Sequence, residues 1–215
     1  MILYSYFRSS AAYRVRIGLN LKGLDYQIRP VHLLKDGGQQ HQPDYVQVNP
    51  VQLLPALDDD GLIITQSLAI LEYLDERYPE LPLLPKASAD RAWARSMAQT
   101  VACDIHPLNN LRVLQYLKND LHVQEDARNQ WYRHWVSVGL EGLEALVLRH
   151  GKKGQAFIFG DLPSIAEICL IPQMFNARRF DIDLTAFPRL LAVEEKCLEL
   201  SAFQEAAPDR QPDAA

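Results

Sequence analysis

Five stretches of this chain carry residue types at spacings that suit chemistry. Ser9 and Ser10 follow Arg8 and stand just ahead of a helical pattern in which Val15, Leu19 and Lys22 share one side and Ile17 and Leu21 fill the rest. One of the two serines is therefore expected at the helix N-cap, and a helix N-terminus with hydroxyls at its mouth stabilises an anion. Taken alone, such a pair is more often a cap and nothing else. Gln66-Ser67 repeats the arrangement directly after the apolar run Leu62–Thr65, again as a cap or as a carboxylate site. Leu54-Pro55 opens another apolar run, where the missing proline N–H is tolerated. The segment Cys103–Arg112 sets His106, Asn109, Asn110 and Arg112 among apolar residues, with Pro107 distorting the helix that carries them. A lone histidine on a helix is usually structural. Arg8 and the pair Arg178-Arg179 complete the set. Surface arginines mostly serve solvation, but the guanidinium fork matches a carboxylate and does not deprotonate.

These residues need elements to hold them. Ile2–Tyr6 alternates as a strand, Gly23-Leu24-Asp25 ends the first helix, and Tyr26–His32 reads as a second strand. A polar loop, Lys35–Gln40, and one or two helical turns over Pro43–Val48 lead to the stop at Asn49-Pro50. Asp59-Asp60-Gly61 between two short apolar runs predicts a hairpin. A helix then runs from Gln66 to about Tyr78-Pro79. The order β-α-β-α-β-β-α is that of a thioredoxin-like mixed sheet with helices on both faces. Pro79, Pro82 and Pro85 mark a linker. Beyond it every pattern is helical: Arg91–Leu117 interrupted at Pro107, Glu125–His150, a helix opened by the capping box Ser164–Glu167, and two shorter ones near Leu190–Leu198 and Ser201–Ala207. A loose tail is expected after Asp209. The fold class is thus α/β plus all-α, with a domain at 1–80 and an all-helical domain at 86–215.

The bulk numbers exclude several classes. A net charge of −5 over 215 residues provides no basic field for nucleic acid. No run of eighteen apolar residues predicts a membrane span, and Met1-Ile2-Leu3-Tyr4 leads straight into a strand, so a cytoplasmic protein is expected. Three scattered cysteines and six histidines without ligand spacing predict neither disulfide nor metal.

The stretch Ser9-Ser10-Ala11-Ala12-Tyr13-Arg14-Val15-Arg16-Ile17 resembles the zeta class of glutathione transferases, whose signature here is Ser-Ser-Cys-x-Trp-Arg-Val-Arg-Ile. Ala11 replaces the class cysteine, Tyr13 the tryptophan, and Glu167 an aspartate usual later in the chain. The resemblance extends from Ile2 to the Arg210-Gln211-Pro212-Asp213 tail. It implies the glutathione transferase architecture, a homodimer, and glutathione as cofactor. It also implies a cis Leu54–Pro55 bond at the start of an edge strand, exposing the Leu54 N–H and C=O for pairing with a bound tripeptide.

Residue roles follow from the same resemblance. Ser9, Ser10 and the Ala11 position serve the glutathione sulfur; Gln66 and Ser67 hold the γ-glutamyl carboxylate; Gln40, more than Gln39, holds the glycine end. His106, Asn110, Leu111 and Arg112 face glutathione from the helical domain, and Arg8 and Arg179 bind the substrate carboxylates. The implied reaction is cis–trans isomerisation of a small dicarboxylic maleyl keto acid, maleylacetoacetate first and maleylpyruvate next. Transfer to α-haloacids and a non-catalytic binding module are the alternatives. Because addition and elimination use one sulfur, Ala11 is compatible with the chemistry.

Overall fold

The apolar alternation near the N-terminus forms a strand, β1 (Ile2–Ser5), in a computed structural model that describes residues 1–214. Helix α1 (Ser10–Leu21) follows, then β2 (Gln27–Pro30), two short 3-10 turns, α2 (Pro43–Val48), β3 (Ala56–Asp59), β4 (Leu62–Thr65) and α3 (Ser67–Arg77). The strands form one sheet in the order β2-β1-β3-β4. β1 pairs with β2 in parallel and with β3 antiparallel, and β3 pairs antiparallel with β4. Asp60 and Gly61 both take positive φ, 51° and 92°, the backbone that a two-residue primed hairpin turn requires.

Side-chain alternation along the sheet explains its two covers. Leu3 and Leu57 point to one face, where they pack with Val15 and Leu19 of α1 and Ile70 and Leu74 of α3. Tyr4 and Ala56 point to the other, against Val31 and Tyr45, with Val48 and Leu54 alongside. The expected mixed sheet with helices on both faces is present. One expectation changes: β3 lies between β1 and β4 and is not an edge strand. Pro55 immediately precedes it, and Leu54 lies beyond the last ladder pair, Ala56 with Thr65.

The chain divides into two compact units, one from Met1 to Leu83 joined by the segment from Leu198 onward, the other Leu84–Cys197. The end of the chain therefore groups with the sheet, whereas the sequence suggests one helical domain over 86–215. Hydrogen bonds from α1 explain the grouping. Tyr13 Oη donates to the Phe203 carbonyl (3.4 Å), Arg16 Nε to the Ala206 carbonyl (2.9 Å) and Asn20 Nδ2 to the Ala202 carbonyl (3.0 Å). All three acceptors lie in helix α10 (Ser201–Ala206). Among the described residues, which end at 214, the tail beyond it is not loose. Pro208–Arg210 forms a 3-10 turn, and Gln211 is buried. At the other end of this unit, buried Lys22 donates Nζ to Asp75 (3.2 Å) and to the Tyr78 and Leu81 carbonyls (both 2.8 Å), fixing the start of the proline-rich segment.

The second unit is helical: α4 (Ser88–Gln99), a π-helical stretch Thr100–Ile105, α5 (His106–Asn109), α6 (Leu111–Asn119), α7 (Glu125–His150), α8 (Ile165–Arg179) and α9 (Pro188–Leu198), whose last residue passes to the first unit. Pro107 lacks an N–H, and the widened turn ends two residues before it, at Ile105. The break in the backbone falls three residues later, at extended Asn110 (φ −66°, ψ 147°), rather than at the proline. The capping box of α8 is complete: the Ser164 N–H and Oγ donate to Glu167 Oε2 (2.8 and 2.7 Å) and the Ile158 N–H to Oε1 (2.7 Å).

Candidate active site

In the first unit the strand β1 delivers the chain into a tight turn. The Ser9 N–H donates to the Tyr6 carbonyl (2.9 Å), and α1 begins at Ser10. Ser9 is the N-cap, its Oγ accepting the Ala12 N–H at 3.2 Å. Ser10 is the first helical residue and is buried. Helix geometry leaves the first-turn N–H groups of Ser10 and Ala11 without intrahelical acceptors, so this end of α1 can receive a negatively charged sulfur. Arg8 is exposed, its guanidinium 4.9 Å from the centre of the Phe7 ring.

The helix α3 starts differently from α1. Its N-cap is Gln66, at φ 71° and ψ 118° and without a side-chain cap bond. A non-glycine residue with positive φ is a costly conformation that surrounding structure must enforce. Ser67 is thus the first helical residue, not the cap, and the plain-cap reading of its hydroxyl does not hold. Its Oγ accepts from Arg14 Nη1 at 3.2 Å. Arg14 is 1% exposed, so a buried cation from α1 stands behind the N-terminus of α3 and adds to the positive end of that helix. The exposed Gln66 flanks the same helix end.

The remaining first-unit candidates cluster ahead of β3. The Leu54–Pro55 bond is cis, as the resemblance implies. The Tyr45 hydroxyl and Asn49 Nδ2 both donate to the Leu53 carbonyl (2.6 and 2.7 Å), which fixes the backbone one residue before Leu54. Burial pushes the Tyr45 phenol pKa upward, so it remains a donor. The two glutamines of the loop separate cleanly. Gln39 Oε1 accepts the His32 N–H (2.8 Å) and is a structural brace. Gln40 is buried, its Nε2 is 2.9 Å from His41 Nε2, and its Oε1 has no hydrogen-bond partner among the described residues. A buried acceptor left open fits an arriving donor from a ligand. Gly38, at φ 100°, leaves room that a Cβ would fill 2.6 Å from Gln40 Nε2.

In the second unit His106 and Asn110 come together, with Asn110 Nδ2 3.4 Å from His106 Nε2. Asn110 also caps α6, its Oδ1 accepting the Arg112 N–H (3.1 Å), so it has a structural role that the sequence did not suggest. Leu111 and the exposed Arg112 occupy the first turn of α6. Asn109 is buried with both amide atoms unpartnered, which singles it out in a cluster where the sequence reading favoured Asn110. The two neighbouring arginines of α8 divide their work. Arg178 makes a bidentate pair with Glu194 (2.6 Å twice). Arg179 is exposed, and its Nη1 approaches Asn176 Oδ1 only at 3.4 Å.

Two buried arginines are the largest surprise of the site. Arg14 and Arg16 sit on a helix among Tyr13, Val15 and Ile17, and all are buried. Arg16 Nη1 donates to Ser5 Oγ (3.0 Å) and Nη2 to the Phe7 carbonyl (3.1 Å). Desolvation lowers its pKa to about 10, against the opposing pull of Tyr26, Tyr13 and Asp213, so it stays charged at neutral pH. The only sequence signal for either residue was the Arg-Val-Arg motif itself.

The glutathione S-transferase N-terminal domain family matches residues 1–76. A probable maleylacetoacetate isomerase from Vibrio cholerae is 48% identical over 214 residues, covering 100% of this chain and 98% of that protein. Among solved structures, a holo maleyl pyruvate isomerase, a bacterial glutathione S-transferase of the zeta class, superposes with a TM-score of 0.96 at 44% identity, covering 100% of both chains. A maleylacetoacetate isomerase from Anaeromyxobacter dehalogenans, solved with dicarboxyethyl glutathione and citrate in its active site, superposes with a TM-score of 0.84 at 42% identity, covering 99% of this chain and 96% of that one.

Proposed function

The chain belongs to the zeta class of glutathione transferases, and on that premise we propose that it catalyses the glutathione-dependent cis–trans isomerisation of maleylacetoacetate to fumarylacetoacetate. The observation that carries the proposal is the Arg14–Ser67 hydrogen bond, which ties the helix of the sulfur-binding turn to the start of the carboxylate-binding helix. Bound glutathione would supply a thiolate that adds to the alkene carbon β to the keto group, moving the π electrons onto the keto oxygen as an enolate and leaving a rotatable single bond. Expulsion of the thiolate re-forms the double bond in the trans geometry.

The residues present fit that ligand. The open Oε1 of buried Gln40 accepts the glycyl N–H, the backbone at Leu54 pairs with the cysteinyl residue, and Ser67 with Gln66 receives the γ-glutamyl carboxylate. Ser9 and Ser10 at the mouth of α1 lower the pKa of the thiol by donating to sulfur, an effect that can take a thiol from near 8.5 to about 3.5–7.5. Arg8, one residue ahead of the N-cap of that helix, meets charge that develops on the substrate oxygen. Arg179 is free of the ion pair that occupies Arg178 and binds a substrate carboxylate. His106, Asn110, Leu111 and Arg112 are assigned to glutathione by the class pattern. A homodimer, a cytoplasmic location and a place in tyrosine degradation complete the proposal; the class resemblance supports them.

Purified protein given maleylacetoacetate and glutathione should convert it to the trans isomer, with no conversion when glutathione is omitted. Maleylpyruvate is the second reading, favoured by the whole-chain similarity to the maleyl pyruvate isomerase. Comparing kcat/KM on the two substrates decides between them, and inactivity on both removes the proposal.

A further inference from the structure

We propose that the C-terminal tail is a working part of the glutathione-binding unit and that Asp213 is a positioning residue for the turn that presents Arg8, Ser9 and Ser10. The catalytic half of this inference rests on the isomerase reading; the structural half does not. The turn Tyr6–Ser9 closes through its own Ser9–Tyr6 hydrogen bond (2.9 Å). That bond leaves the polar groups of Phe7 to find partners elsewhere. The Phe7 carbonyl accepts from Arg16 Nη2 (3.1 Å), and the Phe7 N–H donates to Asp213 Oδ2 (2.9 Å), a residue 206 positions away. One residue thus has the peptide unit before it held by the tail and the peptide unit after it held by the following helix. The next residue is Arg8 and the one after it the N-cap Ser9, so the direction of both depends on that grip.

The tail is built to place Asp213. Buried Gln211 donates Nε2 to the Glu205 and Ala207 carbonyls (2.9 and 2.8 Å), and the Ala214 N–H donates to the Gln211 carbonyl (3.0 Å). Together these fasten both sides of Pro212-Asp213. The second carboxylate oxygen of Asp213, Oδ1, is buried without a hydrogen-bond partner among the described residues. Desolvating a charged oxygen without a hydrogen bond is costly, and the positive charge of buried Arg16 acts on Asp213 to offset it. Arg16 and Asp213 therefore form one device with opposite charges, each holding one polar group of Phe7.

The test compares Asp213→Ala with Asp213→Asn in the full-length protein, since asparagine keeps a side-chain oxygen that can accept the Phe7 N–H. Amide hydrogen exchange in glutathione-free protein should speed up at Phe7 by about tenfold or more in the alanine variant, with β3 amides unchanged, and stay near wild type in the asparagine variant. With the maleyl substrate, kcat should fall about tenfold in the alanine variant at nearly constant KM for glutathione, and asparagine should restore most of it. Gln211→Ala leaves the carboxylate but unfastens the tail, and should raise Phe7 exchange to an intermediate level. Wild-type exchange at Phe7 in Asp213→Ala, or equal loss of protection in the asparagine variant, overturns the assignment. If wild-type protein turns over no maleyl substrate, the isomerase reading fails while the exchange experiment still decides the role of Asp213.

Discussion

Ser9 and Ser10 differ in one structural respect that separates their expected phenotypes. Ser9 Oγ already accepts the Ala12 N–H, yet a hydroxyl that accepts can still donate its proton to sulfur. Ser9→Ala should therefore lower unfolding stability by about 1 kcal/mol, the usual loss for a helix N-cap, and also raise the pKa of bound glutathione. Ser10→Ala should raise the thiol pKa without the capping loss. Thermal melts and thiolate absorbance titrations read the two effects, and unchanged thiol pKa in both variants would show that backbone N–H groups alone serve the sulfur. Ser67→Ala removes a hydroxyl backed by a buried guanidinium and should weaken glutathione binding by about 1.5–3 kcal/mol, measured by calorimetry. The neighbouring arginines of α8 should also diverge. Arg179→Ala should raise KM for the maleyl diacid and leave glutathione affinity intact. Arg178→Ala strips buried Glu194 of both of its hydrogen bonds from Arg178, so its effect should be on stability, about 1–3 kcal/mol.

At the scale of elements, the helix starts carry most of the argument. The α8 start was legible because a capping box has a fixed spacing, Ser164 and Glu167, and the structure contains both reciprocal bonds. Glu167 does more than the motif requires, since it also accepts the Ile158 N–H nine residues away. Burial raises its carboxyl pKa, opposed by these hydrogen bonds. Glu167→Ala should cost about 2–4 kcal/mol, because several buried donors lose their acceptor together; chemical denaturation of the full chain measures it. The α3 start was legible only in part. A serine after a strand suggested a cap, but the chain places Gln66 there in a left-handed backbone and turns Ser67 inward. The α6 start was missed because Pro107 drew the expected break to itself, whereas a widened turn accommodates the proline and Asn110 ends the helix instead.

At the scale of the whole molecule, helix α1 of the sheet unit is anchored by residues from the far end of the chain. Buried Arg16 and Tyr13 find backbone acceptors at Ala206 and Phe203, and fully buried Phe203 belongs to the same segment. Ending the chain after Leu200 should therefore lower stability by at least about 3 kcal/mol, since a buried guanidinium is left short of an acceptor and a large apolar side chain is removed; a lowered melting temperature is the readout. The sequence by itself determined the strand and helix order, the hairpin, the helical character beyond the linker and the class signature at Ser9–Ile17. Those features rest on periodicity, turn chemistry and short fixed spacings, which act between near neighbours. Only the tertiary structure decided that β3 lies inside the sheet, that Gln40 and not Gln39 keeps an open acceptor, that Arg14 backs Ser67, and that Asp213 holds the turn ahead of Ser9. Each of these depends on which polar groups meet across distant parts of the chain, and burial then makes leaving them unpaired costly, a condition that local pattern does not encode.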